Sequence, residues 1–307
     1  MKIATLTMNP AIDKSSAVEQ VVAEWKLRCE PPLYEPGGGG LNVSRAIRKL
    51  GGDSLALYAA GGLSGEMLAN LLDGEGLQHE KIAIAGLTRE SLTILEKSTG
   101  RQYRFGMPGP TLQEAEWQKC LEAISHLLPR VDYLVASGSL PPGAPPDFYG
   151  RIAKLAKEHE TRLIVDTSGE PLRLAVAEGV FLIKPNLREF AELTGQELVD
   201  EVQEERLARE LAASRQSEVV VVSLGAAGVL AATAEGTERV RAPLVPIKSK
   251  VGAGDSTVAG TVLALCRGKS WREAVRFGVA AGAAAVMTPG TELCRREDAE
   301  RLYEQIK

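Results

Sequence analysis

Short runs of apolar, largely β-branched residues recur along this chain, separated by stretches with helical spacing. The runs are Leu55–Ala60, Tyr133–Ser137, Leu163–Asp166, Val180–Lys184 and Val219–Leu224. Several are apolar throughout, so both faces of such a strand need cover, which suits a parallel sheet between two helix layers. Between the runs, Val43, Ala46, Ile47 and Leu50 repeat at helical spacing, and Gly51-Gly52 ends that helix. Thr111-x-x-Glu114 predicts a capping box, followed by Trp117, Leu121, Ile124 and Leu128 on one face. Ser270-x-x-Glu273 predicts a second box. Repeated β-α units with right-handed crossovers imply an α/β fold, a doubly wound, mostly parallel sheet flanked by helices. The 307 residues suit one such domain over 1–307, with no internal repeat or long linker.

Two stretches break this rhythm. Residues 14–35 carry Val18, Val21, Val22 and Leu33 without a helical period. Residues 90–107 read as a hairpin: Ser91–Glu96, a turn at 98–100, then Gln102–Met107. Together they predict a separate small β-sheet, a lid over the active face that excludes water when it closes.

The net charge of -4 and the 5% aromatic content argue against a nucleic-acid or membrane-surface partner. No apolar run approaches the roughly 18 residues of a membrane span, and Met1–Met8 reads as a strand rather than a signal peptide. Cys29, Cys120, Cys266 and Cys294 are too dispersed for a metal site and read as reduced thiols of a cytoplasmic protein. His79, His126 and His159 have no evident partners, which speaks against a metal site or a Ser-His-Asp triad.

Phosphate-binding signatures of two common kinds are missing: Gly-x-x-x-x-Gly-Lys-Ser/Thr, and Gly-x-Gly-x-x-Gly after the first strand. Two other glycine segments stand out. Pro36-Gly-Gly-Gly-Gly-Leu-Asn42 runs into the Val43 helix, placing bare N–H groups and the Asn42 amide at a helix start. Four glycines cost backbone entropy, which makes sense where backbone passes close to a ligand. Val251-Gly-Ala-Gly-Asp-Ser256 opens another helix. Its free N–H groups form an anion hole, and Asp255 sits in its first turn. A carboxylate with an ordinary pKa of about 3.9 is ionised at neutral pH and can accept a proton. Phosphoryl transfer needs in-line positioning, charge neutralisation and such a base. A structural role for Asp255, stabilising the helix start, is the competing reading of that segment alone.

Taken together, Gly39-Gly-Leu-Asn-Val-Ser44 and Lys250-Val-Gly-Ala-Gly-Asp-Ser-Thr-Val-Ala-Gly260 resemble the two signatures of the ribokinase-like carbohydrate kinase family. The likeness runs over nearly the whole chain. It is strongest to the minor bacterial 6-phosphofructokinase branch, through Lys26-Leu-Arg-Cys29, Gln102-Tyr-Arg-Phe105, Ser137-Gly-Ser-Leu-Pro-Pro-Gly143, Lys184-Pro-Asn186 and Arg276-Phe-Gly-Val-Ala-Ala-Gly282.

The resemblance implies transfer of phosphate from MgATP to the C1 hydroxyl of fructose 6-phosphate. It implies Asp255 as base and Gly252, Ala253 and Gly254 as anion hole, with Asp13, Gly38, Gly39 and Asn42 on the sugar hydroxyls. Lys26, Arg28, Arg89 and Arg104, in or beside the lid, would hold the existing phosphate, with Ser139 adding a hydroxyl. For ATP it points to Lys184, Asn186, Ser223, Gly225 and Gly228, with adenine near Val279 and Ala283. Glu189 would organise Mg²⁺ through water. Some relatives bind a monovalent cation such as K⁺ through backbone carbonyls, here at Ser249, Val251 and Gly290. Lys250 stands where a threonine is common, and its ammonium would replace or repel that cation. Val22 stands where an aromatic accompanies nucleotide inhibition in the branch. The lid is expected to pair two copies into a homodimer.

Three alternatives stay open at this stage. Tagatose 6-phosphate or fructose 1-phosphate is the substrate of related kinases, and residues 10–42 do not distinguish them. A non-catalytic sugar-phosphate sensor has no need of an intact Gly-Ala-Gly-Asp. An NAD-dependent enzyme lacks its fingerprint.

Overall fold

A computed structural model describes residues 2–306. In chain order its strands are β1 (Ile3–Thr7), β2 (Ala11–Val18), β3 (Leu33–Gly37), β4 (Leu55–Ala60), β5 (Gln78–Ala83), β6 (Arg89–Glu96), β7 (Arg101–Gly106), β8 (Tyr133–Ser137), β9 (Arg162–Asp166), β10 (Val180–Ile183), β11 (Ser217–Ser223), β12 (Val229–Thr233) and β13 (Gly236–Val240). The helices are α1 (Gly39–Lys49), α2 (Gly62–Gly74), α3 (Glu114–Leu127), α4 (Phe148–Glu158), α5 (Gly169–Glu178), α6 (Leu187–Thr194), α7 (Glu201–Ala213), α8 (Ala253–Cys266), α9 (Trp271–Val286) and α10 (Arg296–Ile306).

The main sheet has nine strands in the order β13-β12-β11-β10-β9-β8-β1-β4-β5. Its strands from β5 to β11 run parallel, and β12 and β13 extend it antiparallel. Alternate residues of one strand enter opposite cores, as the two-residue period of a strand requires. Leu6, Leu134 and Ala136 pack with Ile124, Phe148, Ile152, Leu172 and Leu207 on one face. Ile3, Tyr133 and Val135 pack with Val43, Ile47, Val262, Val275 and Leu302 on the other. Each such fully buried aliphatic side chain contributes roughly 1.5–3 kcal/mol.

The two interrupting stretches form one second sheet of four strands, β3-β2-β6-β7. The parallel β2–β6 pair at its centre joins the two segments, and β3 and β7 flank it antiparallel. Leu33, Leu95, Phe105 and Met107 of this sheet and its edge are exposed, as is Trp25 in the connection between β2 and β3. The carboxylate of Glu96 accepts from the Val21 N–H at 2.8 Å and from the Thr99 hydroxyl, tying that connection to the hairpin turn.

Three local expectations change. Helix α1 begins inside the glycine run, at Gly39, so Asn42, expected one residue into the helix, is its fourth residue. That start is set by packing on β1: a Cβ on Gly40 would run into the Leu6 carbonyl. The capping box of α3 is two residues further on, with Gln113 and Glu116 exchanging hydrogen bonds in place of Thr111 and Glu114. The Ser270–Glu273 box forms as read. His79, expected to stand alone, sits 3.1 Å from both the Tyr58 hydroxyl and the Asp73 carboxylate. Tyr58 and Asp73 reach it from β4 and α2, contacts invisible in a local window.

Candidate active site

The carboxyl ends of the parallel strands point toward the small sheet, the edge where ligands of open α/β sheets bind. Between them lies a cavity of about 600 Å³. Asp13 and Glu35 line it from the small sheet, Gly38 and Asn42 from the start of α1, and Gly252 and Asp255 from the start of α8. Lys14, Arg89, Arg104 and Lys250 also line it, so the cavity wall carries both signs of charge.

Helix α8 starts as the motif predicts. Gly252 is its N-cap, with φ 75°, a left-handed conformation that favours glycine. Ala253 and Gly254 form the first helical positions and leave their N–H groups without helical acceptors. Lys184, which follows β10, places its ammonium over them: a Cβ on Gly254 would lie 3.3 Å from Nζ. The same ammonium is 3.2 Å from the carboxylate of Asp166 at the end of β9. Burial works against the Lys184 charge, but Asp166 and Asp255 outweigh it and lift the pKa above the usual lysine value. Helix N-terminus and ammonium together make a concentrated site for an anion.

Asp255 accepts a hydrogen bond from Asn42 Nδ2 at 3.0 Å. Burial, with Asp166 adding to it, pushes the Asp255 pKa up to about 6, while Asn42 and then Lys184 pull it down. It is thus a carboxylate at neutral pH that accepts a proton more readily than an ordinary aspartate. Asp13, on β2 and opposite Glu35 of β3 in register, is raised by burial against the opposing charges of Arg89 and Arg45. Arg89 donates to the carbonyls of Asn9 at 3.0 Å and Met107 at 3.1 Å, which fixes it at the root of the hairpin.

Other expected residues stand elsewhere. Lys26 and Arg28 are exposed in the β2–β3 connection and do not line the cavity, so of the four proposed phosphate cations only Arg89 and Arg104 converge there within this chain. Ser139 lies outside the lining and accepts from Asn9 Nδ2 at 3.2 Å. Gly39 packs on Ser137 rather than lining the cavity. Asn186 caps α6, and one carboxylate oxygen of Glu189 returns the bond to the Asn186 N–H at 2.9 Å. Ser223 pairs with Asn186 at the end of β11, and Gly225 and Gly228 bracket the turn into β12. Val279 and Ala283 are buried on α9. Ser249 is buried, and with Val251 and Gly290 it borders the cavity around Lys250. No group of three or more metal-ligating side chains occurs among the described residues.

Sequence reading missed Asp166, Glu35, Lys14 and Arg45. Asp166 had a usable signal: it is the polar last residue of an apolar run, at the ligand end of a parallel strand.

Residues 6–298 match the pfkB family carbohydrate kinase model. The chain belongs to the pfkB family of carbohydrate kinases. Among pfkB relatives, the ATP-dependent 6-phosphofructokinase isozyme 2 of Mycobacterium tuberculosis H37Rv is 46% identical, over 99% of this chain and 89% of its own length. The isozyme 2 of Escherichia coli K12 is 41% identical, over 99% of this chain and 98% of its own. A crystal structure of Escherichia coli phosphofructokinase-2 in complex with potassium superposes with a TM-score of 0.96 at 40% identity, covering 99% of each chain. The two segments that resemble the family's signatures are the helix starts joined by the Asn42–Asp255 hydrogen bond.

Proposed function

We propose that this protein phosphorylates the C1 hydroxyl of fructose 6-phosphate with MgATP, giving fructose 1,6-bisphosphate and ADP. The observation that carries the proposal is the position of Asp255. Its raised carboxylate sits in the first turn of α8, beside an anion-binding helix start and facing a cavity whose far wall carries Arg89 and Arg104. The family membership and the names of the relatives support the same reading.

In this account the sugar lies between the two sheets. Asp13, Gly38 and Asn42 face its hydroxyls, and Arg89 and Arg104 hold its phosphate by charge-assisted hydrogen bonds. The C1 oxygen attacks the γ-phosphorus, its proton passes to Asp255, and the bond to the departing ADP oxygen breaks. The N–H groups of 252–254 and the Lys184 ammonium stabilise the charge on the transferring group. Asn186, Ser223, Gly225 and Gly228 lie along the strand ends on the nucleotide side. Adenine would need to rest against the surface over Val279 and Ala283, since both side chains are buried.

Mg²⁺, when bound, would supply positive charge to the phosphates of ATP. The residues fit that role: a magnesium ion keeps several waters and needs few direct protein ligands, and Glu189 is the side chain that would hold it through water. At Ser249, Val251 and Gly290 a monovalent cation has to compete with the Lys250 ammonium.

The small sheet acts as the lid, and its exposed face pairs with a second copy of the chain. Leu33 and Leu95, which the strand register places on one face, give it an apolar surface, while Phe105 is exposed on the other face. A coupled assay of ADP release over fructose 6-phosphate, tagatose 6-phosphate, fructose 1-phosphate and ribose tests the substrate. The highest kcat/KM is expected with fructose 6-phosphate. A higher value with another sugar overturns the assignment, and no ADP release with any of them favours a sensor.

A further inference from the structure

The hydrogen bonds around the base continue away from the cavity. Asn42 turns its Nδ2 to Asp255, and its Oδ1 accepts from Arg45 Nη1 at 3.2 Å. Arg45 is only 2% exposed, an unusual place for a guanidinium. Its Nη1 also donates to the Pro36 carbonyl at 2.9 Å. Its Nε and Nη2 grip the Glu75 carboxylate just beyond the end of α2, at 2.9, 2.8 and 2.6 Å. Glu35 lies 3.5 Å from Nη2. A buried arginine costs desolvation that good geometry only partly offsets.

An asparagine amide is nearly symmetric in shape and opposite in polarity at its two ends. Flipped, Asn42 would present its oxygen to the Asp255 carboxylate and repel it. Arginine carries donors and no acceptor, so the amide end facing it has to be the oxygen. We infer that Arg45, braced by Glu75, is a positioning residue that locks the Asn42 amide with its NH₂ toward the Asp255 carboxylate. Arg45 acts through Asn42 and touches no reacting atom. The inference rests on the reading of Asp255 as the base.

Without the lock, Asp255 loses its hydrogen-bond donor while Asp166, Lys184 and Asp13 continue to face it. A carboxylate that loses a donor holds its proton more tightly. Arg45 also faces Asp13 and Glu35, so effects on sugar KM are read separately from kcat.

The test is the pH profile of kcat for wild type, Arg45→Met, Glu75→Gln, Asn42→Ala and the double variant Arg45→Met with Asn42→Ala. In Arg45→Met the acid limb is expected to move up by about one pH unit. Activity would then fall about fivefold at pH 6 and largely recover by pH 8.5. Glu75→Gln is expected to shift the limb in the same direction by less. In the Asn42→Ala background, Arg45→Met is expected to add no further shift. An equal loss at every pH, or additive shifts in the double variant, overturns the inference. If Arg45→Met does not fold, Glu75→Gln decides: a limb at the wild-type position overturns it. A ¹³C NMR titration of the Asp255 carboxyl in wild type and Glu75→Gln separates this inference from the kinase reading. An unmoved pKa overturns the lock, whereas a wild type inactive on every sugar phosphate overturns the kinase reading alone.

Discussion

The 3.0 Å hydrogen bond from Asn42 to Asp255 joins the first turns of α1 and α8 across 213 residues of chain. Each partner belongs to one of the two glycine-rich segments. The fold brings the two helix starts together because α1 packs on β1 and α8 packs along α1. The bond stabilises the ionised form of Asp255, yet burial and Asp166 leave its pKa at about 6.

The pH dependence of catalysis follows directly. A general base works only when deprotonated. For the free enzyme, kcat/KM should climb through pH 6 and level off by about pH 7.5. A steady-state series from pH 5 to 8.5 checks this, and a profile already flat at pH 5 would mean that Asp255 does not limit the reaction.

Stability should show the opposite trend at the same residue. The ordinary aspartate pKa is about 3.9, and the folded value is higher, so the folded protein holds the proton more tightly. The Asp255 contribution therefore falls as pH rises from about 4 to about 6, and its full penalty is present above that. Asp255→Asn should be stabilised at pH 7.5 by up to about 3 kcal/mol and gain little at pH 4. Urea unfolding at both values measures the difference. A variant less stable than wild type at pH 7.5 would show that the carboxylate is better compensated than its surroundings indicate.

How much of this was legible in the sequence depends on the range of the contact. Strands Leu55–Ala60 and Tyr133–Ser137, the hairpin near 90–107 and the α8 start were readable because each rests on local pattern. Joining residues 14–35 to that hairpin succeeded because no α/β unit could absorb either. Arg45–Glu75 left no trace: the pair closes between α1 and the end of α2, and arginine on a helix reads as surface. Lys26 and Arg28 were placed with Arg89 and Arg104 by sequence proximity to the lid. The β2–β3 connection instead carries them away from the cavity of this chain. Asp166 was passed over because a lone carboxylate at a strand end has no motif.

Arg104 and Arg89 should differ when removed. Arg104 faces the cavity without a protein hydrogen bond among those described, whereas Arg89 also secures the Asn9 and Met107 carbonyls. Arg104→Ala should raise the KM for fructose 6-phosphate about 10- to 100-fold, the scale of one charged hydrogen bond, with ATP KM unchanged. Arg89→Ala should raise the same KM and lower thermal stability as well. Steady-state kinetics with each substrate varied tells them apart, and a change confined to ATP KM would remove both from the sugar-phosphate site.

The exposed apolar side chains Leu33 and Leu95 of the small sheet should be covered in solution. Analytical ultracentrifugation at micromolar concentration should give a dimer, and Leu33→Glu with Leu95→Glu, two changes on one face, should give monomer. A wild type that sediments as monomer would leave that face without its proposed partner.

The most direct test of the account is the turnover of Asp255→Asn at saturating MgATP and fructose 6-phosphate, with both Kd values measured by calorimetry. Loss of a general base predicts a kcat lower by about 10²- to 10⁴-fold, with both ligands bound nearly as in wild type. A variant that keeps more than a few per cent (~5%) of wild-type kcat, well above the loss expected for a base, would contradict the assignment of Asp255.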